Sequence, residues 1–176
     1  MNFRATRILA AALLASSCGL AGAATAPPQT FAVTATVVST CVITSAGAMA
    51  FGNYTPGAGP ITQTSEIVVR CSLNTPYGIG LSAGTGLGST TADRKMSTPA
   101  LNVLDYSLST VPGATPTNWD NTTVAFATAG NQGGVGAGMN TPRNHTVYGL
   151  LPDSGPNQAA LPAAGYTSTV TVTLTY

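Results

Sequence analysis

Apolar and polar residues alternate with a period of two along much of the chain, the mark of half-buried β-strands. Over Glu66–Leu73 the alternation places Ile67, Val69, Cys71 and Leu73 on one face. Tyr77, Ile79 and Leu81 alternate with Gly78, Gly80 and Ser82, and Leu104, Tyr106 and Leu108 follow after a break. Val124 with Phe126, and Tyr148 with Leu150, mark two shorter strands, the second closing before Pro152. Clusters such as Pro56-Gly57-Ala58-Gly59-Pro60 and Gly133-Gly134-Val135-Gly136 separate these runs as turns. Beyond the N-terminal leader no segment carries a 3.6-residue period. Seven or so short strands with turn signals between them predict an all-β protein, an antiparallel sandwich.

The two most regular stretches lie near the ends. Phe31, Val33, Ala35 and Val37 alternate with Thr30, Ala32, Thr34 and Thr36, just before Cys41. Val170, Val172, Leu174 and Tyr176 alternate with Thr169, Thr171, Thr173 and Thr175. A regular apolar strand at a free end is an aggregation hazard that exported proteins avoid. Either both are ordinary edge strands of one sandwich, or one of them is made to pair with another molecule.

Ahead of these comes a leader. Arg4 and Arg7 precede an apolar run from Ile8 to Leu14, and small residues follow at Ala21-Gly22-Ala23 or Gly22-Ala23-Ala24. Charged start, short apolar run and small-x-small site predict a secretory signal over residues 1–23, too short to span a membrane. A lipoprotein with Cys18 as the lipidated residue is the rival, weakened by Ala15 three positions before it, where Leu is usual. Export leaves an N-terminal extension, 24–38, and a domain, 39–176.

Composition agrees and narrows the function. The chain holds 28 threonines, 20 glycines and 12 prolines, strand and turn formers, and only 6% of its residues are charged. After the leader, Arg70, Arg94, Lys95 and Arg143 face Glu66, Asp93, Asp105, Asp120 and Asp153, a net of −1. No basic stripe exists to displace counterions, so nucleic acid is excluded as a partner. With Cys18 removed, Cys41 and Cys71 remain, and in an oxidising compartment two remaining cysteines predict one disulfide. No C-x-x-C is present to make them a redox pair.

Larger patterns are now visible. Phe31-x-Val33-x-Ala35-x-Val37-x3-Cys41, Phe51-Gly52-x-Tyr54-x-Pro56 and Ile67-x-Val69-x-Cys71 run in order, with Tyr77-x-Ile79-x-Leu81-x2-Gly84, Arg94-x-Met96, Leu104-x-Tyr106 and Tyr148-Gly149 behind them. They end on Gly165-Tyr166 and Val170-x-Val172-x-Leu174-x-Tyr176. Together they resemble the spore coat protein U domain family, which includes spore-coat proteins and pilin subunits of the archaic chaperone–usher pathway. The resemblance implies an incomplete immunoglobulin-like sandwich lacking its last strand. In that scheme a periplasmic chaperone lends a strand, and the next pilin subunit's N-terminal extension replaces it as an outer-membrane usher exports the fibre to the cell surface. Phe31, Val33, Ala35 and Val37 would be the donor strand, and Val170, Val172, Leu174 and Tyr176 the edge of the acceptor groove. The sequence departs from the ordinary immunoglobulin hallmark: Cys41–Cys71 would tie the first two strands, and the single Trp119 lies far from either cysteine.

Catalytic chemistry finds little footing. His145 is the one histidine, expected in an exposed loop or at a strand end, with no G-x-S-x-G elbow to supply a nucleophile. A lone histidine and two bridged cysteines fall short of a zinc site. Glu66, Asp93, Asp105 and Asp120 have no setting that marks a glycosidase pair. Gly84-Thr85-Gly86-Leu87-Gly88 lacks the Lys-Ser/Thr and following helix of a phosphate loop. The sequence therefore predicts no enzyme, no cofactor, no metal and no small-molecule substrate. It favours a structural pilin of a surface fibre serving attachment and biofilm growth. A spore-coat or envelope protein, or a minor or adhesive subunit, is the alternative; a tip adhesin would need a receptor domain for which the chain lacks room.

Overall fold

The computed structural model describes residues 22–113, 117–121, 124–125 and 132–176. The predicted leader falls outside the described residues up to position 21, as does Phe126. The chain divides into two units, Met1–Thr36 and Val37–Tyr176. In the first, residues 22–36 form neither helix nor strand, and every side chain is exposed.

Among the described residues the second unit is all-β apart from one helical turn. Its strands are β1 (Cys41–Ala46), β2 (Ile61–Cys71), β3 (Pro76–Leu81), β4 (Arg94–Ser97), β5 (Val103–Ser109), β6 (Gly133–Val135), β7 (Arg143–Leu151) and β8 (Val172–Thr175), with α1 (Gly155–Gln158) between the last two. A five-stranded sheet runs β1-β2-β7-β5-β4 and a three-stranded one β6-β3-β8. Every strand pair is antiparallel.

The period-two rule accounts for the core between the sheets. β2 turns Ile67, Val69 and Cys71 inward, and β5 does the same with Leu104, Tyr106 and Leu108. β3 lies between β6 and β8 and buries Tyr77, Ile79 and Leu81. Trp119 is wholly buried and satisfies its indole N–H on Ile79 O at 2.9 Å. Arg94, at 1% exposed, is a buried cation among carbonyls. Its guanidinium donates to the backbone oxygens of Leu81, Ser82, Thr91 and Trp119 and to Asn118 Oδ1. Burial lowers its pKa, while those acceptors keep it satisfied.

Cys41 and Cys71 face each other across β1 and β2 and are bonded, with S–S 2.01 Å and Cα–Cα 4.1 Å. Thr40 and Ser72 extend this tie, with Thr40 N donating to Ser72 Oγ at 2.7 Å and Ser72 N to Thr40 O at 2.9 Å.

Several expectations are corrected. Leu73 is not on the buried face of β2; it sits in the following turn, 68% exposed, where Asn74 takes φ 61° to reverse the chain. His145 is not in an exposed position but buried on β7, hydrogen-bonded through Nε2 to Tyr77 Oη at 2.8 Å. With it go Val147 and Leu151, while Tyr148 and Leu150, the pair that marked this strand, lie on the opposite, half-exposed face. Val124 is exposed and outside any strand. Gly133–Val135, expected as part of a turn, pairs with β3 as β6.

Candidate functional site

The C-terminal segment shapes the site. From Tyr166 onward, Tyr166, Ser168, Val170, Val172 and Leu174 are half-buried, while Thr167, Thr169, Thr171 and Thr173 are exposed. One edge of this segment is engaged along its length. Thr167 exchanges backbone bonds with Ser97, Thr171 O accepts from Ser82 N at 3.0 Å, and β8 pairs with β3. Side chains complete the edge: Thr169 N donates to Thr85 Oγ1 at 2.9 Å and Thr171 N to Ser82 Oγ at 2.8 Å. The other edge is open. β8 is the outermost strand of its sheet, and among the described residues Ser168 and Val170 make no backbone hydrogen bond.

Beside that open edge is a groove into the core. Its narrower part, about 400 Å³, has Val170 and Val172 on one wall and Ala46–Met49 on the other. Its floor is core: Ile67, Leu81, Leu108 and Val147. Met49 and Phe51 pack directly over Gly149, where a Cβ would run into Met49 Sδ. Met49, Phe51 and Met96 also line a second part of about 710 Å³, bounded by Tyr54 and Pro56 on one side and Ala160–Tyr166 on the other. No charged side chain lines either part. On the inward face of the edge segment, Ser168 Oγ accepts from Tyr106 Oη at 3.1 Å and from Thr85 N at 3.2 Å.

At the wide end, Asp153 gathers a loop. It accepts from Tyr54 Oη at 2.6 Å, Gly57 N at 3.0 Å and Gly59 N at 2.7 Å. The Tyr54 hydrogen bond, then those of the glycine amides, hold its carboxyl below the usual carboxylate range. Tyr54 is pushed up to about 12, by desolvation first and by Asp153 second.

The predicted acceptor residues sit at this site unevenly. Val170 and Val172 line the groove, Leu174 packs on the core, and Tyr176 lies beyond the end of β8, 56% exposed. The predicted donor residues are solvent-facing: Phe31 is 86%, Val33 82% and Val37 90% exposed, and Ala35 is exposed as well. Sequence reasoning missed the wall opposite β8 and the Asp153 loop. Phe51-x2-Tyr54 was a signal for the wall, since two aromatics outside a strand need something to pack on.

The sequence profile of the Spore Coat Protein U domain matches residues 28–173. No curated protein matches the chain in sequence. Among solved structures, the chain is similar to one in the CsuC–CsuE chaperone–tip adhesion subunit pre-assembly complex from archaic chaperone–usher Csu pili of Acinetobacter baumannii, at 21% identity and TM-score 0.48. That alignment covers 80% of this chain but only 40% of the other.

Proposed function

The chain belongs to the Spore Coat Protein U domain family, and from that premise and the groove we propose that it is a structural subunit of a bacterial surface pilus, polymerised by strand donation. One observation carries this reading. An unpaired strand edge lies along an uncharged, core-floored groove, while the same chain carries an exposed apolar alternation at Phe31, Val33, Ala35 and Val37.

Physical chemistry makes the two features complementary. An open edge beside unburied core costs free energy until something supplies both hydrogen bonds and apolar side chains. An extended segment with apolar residues at every second position supplies both at once. In this reading the fold is an immunoglobulin-like sandwich short of its last strand, the acceptor edge is Val170–Tyr176, and residues 30–38 of a second copy complete it. A periplasmic chaperone fills the groove first and an outer-membrane usher passes the subunit on. Each contact is head-to-tail, so it propagates instead of closing and yields a filament. The fibre is exported through the periplasm and serves attachment and biofilm growth.

The test is deletion of residues 30–38. The variant keeps its own groove, so it co-purifies with the chaperone, yet it terminates growing fibres seen by electron microscopy. Loss of chaperone binding on this deletion would place the segment inside the subunit's own fold and sink the proposal. Layers in place of filaments from the intact protein would favour a coat.

A further inference from the structure

One wall of the groove has no strand to hold it. Residues 51–60 form neither helix nor strand, yet Tyr54 and Pro56 line the wide part. What fixes them is a single carboxylate. Asp153 accepts from Tyr54 Oη, Gly57 N and Gly59 N, three donors converging from one loop. Gly57 and Gly59 have φ of 85° and 108°, conformations that side-chain-bearing residues disfavour, and this turns both amides toward the same group.

The carboxylate is itself well anchored. α1 follows it directly, and buried Asn157 ties that turn to β5, accepting from Asp105 N at 2.7 Å and donating to Asp105 O at 2.9 Å and Pro152 O at 2.8 Å. Gln158 Nε2 adds a bond to Asp153 O at 3.2 Å. The facing wall, Ala160–Tyr166, continues from the same turn. Both sides of the wide part are thus referred to one anchored point.

We infer, building on the strand-acceptor reading above, that Asp153 is a positioning residue for strand capture. It holds the Tyr54–Gly59 loop as a wall and so sets how tightly one end of the incoming strand of a second copy is gripped. It acts through the loop. Only an ionised carboxylate serves all three donors; an asparagine offers one acceptor oxygen and turns an NH₂ toward them.

The experiment uses the full mature chain in complex with its periplasmic chaperone and a labelled synthetic peptide of residues 27–40. Peptide uptake and release are measured for wild type, Asp153→Ala, Asp153→Asn and Tyr54→Phe, each with the native peptide and with peptides carrying Phe31→Ala or Val37→Ala. Both Asp153 variants are expected to release the native peptide about tenfold faster, the equivalent of roughly one lost hydrogen bond. Their effect should be non-additive with truncation at one end of the peptide and additive at the other. Tyr54→Phe, which spares both glycine bonds, should fall between, and it carries the same comparison should Asp153→Ala not fold. Unchanged release rates overturn the inference. So does an effect equal at both peptide ends, which is what general destabilisation produces. Failure of the wild-type complex to take up peptide at all is a separate result that removes the strand-acceptor reading and this inference with it.

Discussion

Val33→Asp is the sharpest perturbation of the proposed assembly. Val33 is 82% exposed in the subunit, so a carboxylate there stays hydrated and the subunit's own core is untouched. On docking into a neighbour's groove the situation reverses. Fully burying Val yields about 1.5–3 kcal/mol, and nearly all of that gain is open to a side chain this exposed. The substitution forfeits it and adds the desolvation of a carboxylate where no charged side chain lines the groove, worth several kcal/mol more. A total near ~5 kcal/mol corresponds to between three and four orders of magnitude in affinity. In the proposed scheme chaperone capture uses the groove and not the donor, so it should be unaffected. The assay is co-purification with chaperone together with fibre length by electron microscopy. Thr34→Asp is the control, because the period of two turns residue 34 away from a groove that receives residue 33. Equal effects of the two substitutions, or normal fibres from Val33→Asp, would refute the reasoning.

Further outcomes follow from the domain itself. Cys41→Ser or Cys71→Ser opens a bridge spanning 30 positions and should cost about 3.5 kcal/mol, read as a lower unfolding midpoint of the chaperone-bound subunit. Arg94→Met leaves buried carbonyls of Leu81, Ser82 and Trp119 without their donor and should cost roughly 3 kcal/mol or more, read the same way. The Tyr54–Asp153 loop should be stable between two limits. Asp153 is held below its ordinary 3.8, so its contribution is complete above that value and is lost as pH falls through the lower folded value. Tyr54 is raised from 10.0 to about 12, so its contribution is complete below 10 and is lost as pH rises through about 12. Amide exchange at Gly57 and Gly59 across pH checks both limits, and Asp153→Asn should abolish the acid one.

Much of the sandwich was legible because strand periodicity is local. β2, β3 and β5 each carry an alternation in which one face is clearly the more apolar, so the buried set follows directly. β7 shows where that logic fails. Both of its faces are mixed: His145, Val147, Gly149 and Leu151 on one, Thr146, Tyr148 and Leu150 on the other. A shift by one residue exchanges them, and nothing within the strand says which is buried. The decision is tertiary, made by the Tyr77–His145 hydrogen bond and by Met49 and Phe51 crossing over Gly149. α1 was illegible because a single turn has no period to detect. The structural roles of Arg94 and Asp153 could not be read, since their partners lie far off in sequence: Trp119 for one, Tyr54 and two glycines for the other. Of the groove, the edge carrying Val170 and Val172 could be seen as an unprotected apolar strand; the opposite wall, built from a loop, could not.

The absence of charge on both proposed surfaces has a consequence for solution behaviour. Residues 22–40 contain no ionisable side chain, and no charged side chain lines either part of the groove. Coulombic steering and screening therefore have almost nothing to act on at the contact. What remains is apolar burial and backbone pairing, and burial strengthens in the presence of salts excluded from protein surfaces. Uptake of a peptide of residues 27–40 should accordingly be nearly flat in sodium chloride from low to high ionic strength, and should tighten in sodium sulfate at matched ionic strength. A charge-directed contact predicts the opposite ordering, weakening steadily in both salts. Steady weakening would mean that the strand is recognised through Asp or Arg groups outside the groove, and the complementarity argued between Phe31–Val37 and the open edge at Val170 would lose its basis.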